Sequence, residues 1–126
     1  MNTNNQKINF DSVVQTLEII NGKWKIPIIV ALRLHGKSRF KDLMEKVEGI
    51  GTKMLSKELK SLEDDGIIQR HVRETTPVII EYELTLYGET LDPIIYELSN
   101  WGNLHLNKSE NHSHESPIGH FNTIDI

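Results

Sequence analysis

Ile50-Gly51-Thr52-Lys53-Met54-Leu55-Ser56-Lys57-Glu58-Leu59-Lys60-Ser61-Leu62-Glu63-Asp64-Asp65-Gly66 carries three leucines, Leu55, Leu59 and Leu62, spaced four and three apart. That spacing puts them on one face of a helix. The helix is predicted over Thr52 to Asp64, with Gly66 ending it. At about 100° per residue, Thr52, Lys53, Ser56, Lys57 and Lys60 collect on the face away from the leucines. Just upstream, Lys41 to Val47 carries Leu43, Met44 and Val47 and reads as a two-turn amphipathic helix, with Asp42 near its N-terminus. Glu48-Gly49-Ile50-Gly51 joins the two. A short helix, a glycine-containing turn and a longer helix have the spacing of a helix-turn-helix.

Beyond Gly66 the hydrophobic period changes to two. Ile67 to Val72 and Val78 to Leu84 read as strands, and Arg73-Glu74-Thr75-Thr76-Pro77 as the hairpin loop between them. A hairpin directly behind the second helix of the motif is a wing. Thr85 then reads as an N-cap for a last helix running from Leu86 to about Leu106. Its apolar stripe is Leu91, Ile94, Ile95, Leu98, Trp101 and Leu104, and Pro93 is expected to kink it. Upstream of the motif, Val13, Val14, Leu17 and Ile20 mark a first helix starting at Asp11 and ended by Asn21-Gly22. A second helix is expected from Trp24 to about Leu34, with Pro27 tolerated in its first turn. Ser38-Arg39-Phe40 is a connector with room for a single β-bridge. Residues 1–10 read as a flexible arm and 107–126, without periodicity, as a disordered tail. The expected fold is mainly α with a small β-hairpin, a winged helix-turn-helix over residues 11–106.

The chain of 126 residues suits one domain and has no cysteine, which excludes a disulfide scaffold, a cysteine nucleophile, a thiolate zinc site and a thiol redox sensor. It has no phosphate-binding glycine loop, nucleophile elbow or zinc-protease motif, so no enzyme activity is expected. MNTNNQKINF lacks the apolar core of a signal peptide, and the longest apolar stretch, Ile26 to Leu34, is interrupted by Arg33. A soluble cytoplasmic protein with no membrane partner is expected. The net charge of −4 hides a segregation: ten basic and four acidic residues lie between Lys23 and Lys60, a local +6 against −10 elsewhere. Because salt screens charge beyond about 8 Å, a basic stripe can attract phosphate on an acidic protein.

In order along the chain, Gly22-Lys23-Trp24, Arg39-Phe40-x-x-Leu43, Ile50-Gly51-Thr52-Lys53-Met54-Leu55-Ser56-x-x-Leu59-x-x-Leu62-x-x-x-Gly66, Glu81-Tyr82-x-Leu84-Thr85-x-x-Gly88 and Trp101-Gly102 resemble the HxlR-type winged-helix regulators, relatives of the MarR group. The resemblance covers about residues 11–106. It implies a dimeric DNA-binding repressor or activator that dimerises through its first and last helices. Two departures stand out. Lys7-Ile8-Asn9-Phe10-Asp11 occupies the region where the family usually has a cysteine, some members using it to sense oxidants or electrophiles. Ile79 occupies the wing position where the family often has an arginine, so minor-groove insertion by that arginine does not carry over.

A helix fits the DNA major groove, about 12 Å wide, and reads bases from its N-terminal turns. Thr52, Lys53, Ser56 and Lys57 are therefore the expected base readers and Lys60 a phosphate contact. Arg39, ahead of the motif's first helix, is a candidate phosphate clamp, with an ion pair to Asp42 or Glu45 as its alternative; Lys37 and Lys41 are weaker candidates. Arg73, Thr75 and Thr76 are the wing candidates, while Arg70 and His71 read as solvated. Val13, Leu17, Leu98 and Trp101 are the expected dimer contacts, and Trp24 is expected in the core. His105, His112, His114 and His120 invite a metal reading, but no cysteine or ordered frame accompanies them, so neither metal nor cofactor is expected. The expected partners are double-stranded DNA, bound at an inverted repeat, and a second copy of the chain; an effector is left open. The competing function is a winged-helix protein-interaction module without specific DNA binding, which the +6 segment disfavours.

Overall fold

A computed structural model describes residues 7–111. The chain divides into two compact units, one ending at Glu89 and the other beginning at Thr90.

In the first unit, α1 spans Phe10–Ile20, α2 Lys25–His35, β1 Ser38–Arg39, α3 Phe40–Lys46, α4 Thr52–Asp64, β2 Ile68–Arg73, β3 Ile79–Leu84 and α5 Leu86–Glu89. α1 is entered through Asn9, whose Oδ1 accepts the Ser12 N–H at 3.0 Å, and this cap starts the helix before the expected Asp11. No residue of α1 is buried. The core lies under the helix-turn-helix and consists mainly of Ile28, Ile29 and Leu32 of α2, Leu43 of α3, Leu55, Leu59 and Leu62 of α4, and Ile67 and Ile68 at the entry to β2.

The expected hairpin is an antiparallel sheet of three strands, in the order β1-β3-β2. β3 pairs with β2 from Ile68↔Leu84 to Arg73↔Ile79 and with β1 at Ser38↔Tyr82 and Arg39↔Glu81. The connector before α3 is thus an edge strand, and the wing loop is 74–78. Ser38 is buried, its hydroxyl donating to Gly36 O at 2.8 Å.

The second unit contains α6, Asp92–Asn111. The single kinked helix expected over Leu86 to Leu106 is therefore two helices, α5 and α6, separated at Thr90 and Leu91. Pro93 stands in the first turn of α6, where its missing N–H would have no helical partner in any case, so it starts a helix and does not bend one. α6 also runs beyond the expected Leu106. Residues 1–6 of the arm and the tail beyond Asn111, with His112, His114 and His120, lie outside the described residues.

Candidate nucleic-acid interface

α4 is fixed along one face and at both ends. Leu55 and Leu62 are fully buried and Leu59 nearly so; truncating any one to alanine would cost about 2–5 kcal/mol. Gly51 is the N-cap residue, its carbonyl accepting the Leu55 N–H at 2.9 Å. Ile50 before it and Leu55 after it are both buried, at the two positions of a hydrophobic staple. The indole of Trp24 closes over the turn before α4, where a Cβ on Gly49 would stand 3.7 Å from Trp24 Cη2. Trp24 is half-buried and not a core residue as expected, and Lys23 Nζ lies 4.7 Å from its ring centre.

The C-terminal end is a Schellman motif. Gly66 has φ +77, the Ile67 N–H donates to Leu62 O at 3.0 Å and the Gly66 N–H to Glu63 O at 3.0 Å. The motif is locked from outside by Thr85. Its hydroxyl donates to Gly66 O at 2.6 Å, with Ile67 O at 3.1 Å, and accepts the Gly88 N–H at 2.9 Å. The expected N-cap role of Thr85 is thus joined to a second task, holding the exit of α4.

With the leucine face committed to the core, Thr52, Lys53, Ser56, Lys57 and Lys60 are all exposed, on one helix. Among the described residues neither Lys53 nor Lys57 has an ion-pair partner. Lys60 does: its Nζ lies 3.0 Å from Asp64 Oδ1, one turn on. The hydrogen bond and charge of Asp64 raise the Lys60 pKa above its ordinary value, so the ammonium is fully charged at neutral pH. The first two turns of α4 therefore hold open positive charge, while the last turn ends in Glu63, Asp64 and Asp65.

Arg39 is the N-cap residue of α3, and Asp42 accepts its backbone N–H at 3.0 Å. The carboxylate is thus occupied by the helix end instead of by the guanidinium, which as a donor only cannot complete a reciprocal capping box. Arg39 is exposed and stands across the sheet from Glu81.

The wing differs most from expectation. Arg73 Nε lies 3.4 Å from Glu81 Oε1, and His71 Nε2 lies 2.7 Å from Glu83 Oε2, which also accepts from Gln69 Nε2 at 3.2 Å. His71, expected to be solvated, is therefore partnered. Thr75 is exposed but engaged within its own loop: its hydroxyl donates to Pro77 O at 2.7 Å and its N–H to Arg73 O at 2.9 Å. Thr76 is exposed.

Val13, Leu17, Leu98 and Trp101 are 47, 55, 52 and 58 % exposed. On α6 the Trp101 ring packs against His105, and Pro93, Ile94, Glu97, Leu98 and Trp101 line an open, largely apolar shelf.

Two charges are drawn largely out of solvent, Lys25 buried and Glu58 half-buried. Lys25 Nζ meets Glu58 Oε1 at 2.5 Å, with both side chains nearly enclosed. The available signal was positional: Lys25 opens the apolar run Ile26 to Val30, and Glu58 lies about 60° from Leu55 around the helix, on the flank of the leucine face.

Comparison with known proteins agrees with this geometry. A family model described as HxlR-like helix-turn-helix matches residues 19–110. The HTH-type transcriptional regulator YtcD of Bacillus subtilis is 44% identical over 97 residues, 77% of this chain and 76% of that one. A crystal structure of ytcD has a TM-score of 0.72 at 44% identity, covering 75% of this chain and 96% of that one. The redox regulator HypR in its reduced form reaches a TM-score of 0.72 at 36% identity, covering 79% and 98%. With an exposed basic helix set in a winged frame, and with relatives of this length and likeness, the chain belongs to the HxlR-like helix-turn-helix family of DNA-binding transcriptional regulators.

Proposed function

We propose that this regulator acts in the cytoplasm as a homodimer that binds an inverted repeat, inserting one α4 from each subunit into successive major grooves. Thr52, Lys53, Ser56 and Lys57 read base edges, and Lys60 and Arg39 hold phosphates. The observation that carries this is the exposed, unpaired basic face on the first two turns of α4. Lys60 exchanges Asp64 for a phosphate on binding, an exchange open to it because both partners are in water. The wing contributes less: Arg73 must leave Glu81 and Thr75 is engaged in its own loop, which leaves Thr76 as the readiest wing contact. If Lys60 neutralises a phosphate in each subunit, Lys60→Ala should flatten the slope of log affinity against log salt by about 0.9 per subunit, or about 1.8 for the dimer. Affinity should fall similarly for all DNA sequences. An unchanged slope would remove Lys60 from the phosphate contacts.

Dimerisation is supported by the apolar side chains that α1 and α6 leave in solvent, Val13, Leu17, Leu98 and Trp101 among them. Light scattering at micromolar concentration tests it. The expected particle has twice the mass of the 14.5 kDa chain, and Trp101→Glu with Leu98→Glu should return it to the single-chain mass. A wild-type particle of single-chain mass would overturn the dimer.

A further inference from the structure

We propose that the part-buried Lys25–Glu58 ion pair is a positioning device for DNA recognition, fixing the roll of α4 about its axis and so the placement of its base-reading side chains. It rests on α4 being the reading helix.

The pair is unusual in its surroundings. Lys25 is 8% exposed, and among the described residues only Lys25 and Ser38 are buried polar groups. Lys25 and Glu58 join the start of α2 to the middle of α4 across thirty-three residues of chain. Net stability is a poor account of such a contact. Withdrawing an ammonium and a carboxylate from water costs about as much as their attraction returns, and apolar replacements of similar volume are often neutral or stabilising. What a charge pair adds, and leucine packing does not, is direction.

Direction matters at this position. The face formed by Leu55, Leu59 and Leu62 holds α4 on the core by apolar contact, which is non-directional and leaves the fine setting of its roll to a directional contact. Glu58 lies at one edge of that face, on the side away from Ser56, so a bond from Glu58 to α2 restrains roll as a stay restrains a mast. Side-chain tips lie about 5–6 Å from a helix axis, so a roll of about 20° moves them about 2 Å. Hydrogen bonds to base edges tolerate only a few tenths of an ångström around about 2.9 Å. Contacts to phosphate, made by long flexible lysines in a diffuse field, tolerate far more. Loss of the pair should therefore lower specific binding and spare non-specific binding.

The test uses full-length protein and two probes: the duplex that wild-type protein enriches from random-sequence DNA, and a random-sequence duplex of equal length. The ratio of the two affinities is the readout, because a merely structural role would not move it in folded protein. Lys25→Met with Glu58→Leu replaces the pair by apolar groups and leaves no unpaired charge. It is expected to keep or raise the melting temperature, to lower the ratio about tenfold, and to leave random-DNA affinity within about twofold, one misplaced base contact being worth about a factor of ten or more. Lys25→Glu with Glu58→Lys restores a pair and should recover most of the ratio. Should neither double variant fold, Glu58→Gln, which keeps a hydrogen-bonding side chain and weakens only the tether, should lower the ratio to an intermediate value. A ratio unchanged in the folded variants, or equal losses on both probes, would overturn the positioning role. A wild-type ratio near one would overturn base reading by α4 itself and this inference with it; a wild-type preference that survives loss of the pair overturns this inference alone.

Discussion

Ser56→Ala combined with Lys57→Ala is expected to bring affinity for the preferred duplex close to that for random DNA while leaving the protein folded. Both side chains are exposed, Lys57 opposite the core leucines and Ser56 beside it. A lost base contact costs about 1–3 kcal/mol against the preferred base, so the pair together should lower specific affinity on the order of 10²-fold in each half-site. Random-DNA affinity should change only by the loss of one lysine charge per subunit. Surface substitutions of this kind usually change stability by less than about 0.5 kcal/mol, so the melting temperature should hold. Competition titrations with the two duplexes check this. A lower melting temperature with intact base preference would assign these residues a structural role instead.

Gly88→Ala is expected to produce a loss of stability comparable to truncating a core leucine or isoleucine. A Cβ at Gly88 would stand 2.1 Å from Ile67 O and 3.1 Å from Ile67 C. Those atoms are backbone, tied to the Schellman end of α4 and to Thr85, so no flexible side chain can yield. α5 would have to lift away, breaking the Thr85 bonds to Gly66 and Gly88 together. Overpacking alone costs about 1–3 kcal/mol, and the lost hydrogen bonds about 1 kcal/mol each. At about 4–8 °C per kcal/mol for a domain of this size, the melting temperature should fall by 10 °C or more. Thr85→Val, which keeps the shape and removes only the hydroxyl, should lower it by roughly half as much. A Gly88→Ala protein melting within about 3 °C of wild type would contradict the close approach.

The bounds of α4 and the identity of its two faces were legible in the sequence because they are local. Leu55, Leu59 and Leu62 set the buried face, Gly51 and Gly66 the ends, and the lysines fall opposite by geometry alone. The segregated charge between Lys23 and Lys60 marked the candidate site for the same reason. What the sequence concealed depends on partners distant along the chain. A two-residue strand has no period, so the pairing of Ser38 and Arg39 with β3 leaves no pattern. Pro93 fits either a kink or a first turn, and the apolar stripe that begins at Leu91 gives no sign of the break at Thr90 and Leu91. Arg73 read as a wing contact and His71 as solvated because a sequence carries no register; their pairing with Glu81 and Glu83 requires the strand alignment. The pairing of Lys25 with Glu58 is visible only once α2 and α4 are placed side by side.

The central claim is that the exposed face of α4 reads DNA sequence in a two-fold pair. Selection from a pool of random duplexes by the wild-type protein at physiological salt, followed by sequencing of the bound fraction, tests it most directly. The account predicts enrichment of one inverted repeat with half-site centres about 10–10.5 base pairs apart, or about 34–36 Å, the separation that places two helices in successive major grooves on one side of the duplex. A bound fraction with no enriched sequence, or one enriched without two-fold symmetry, would contradict it.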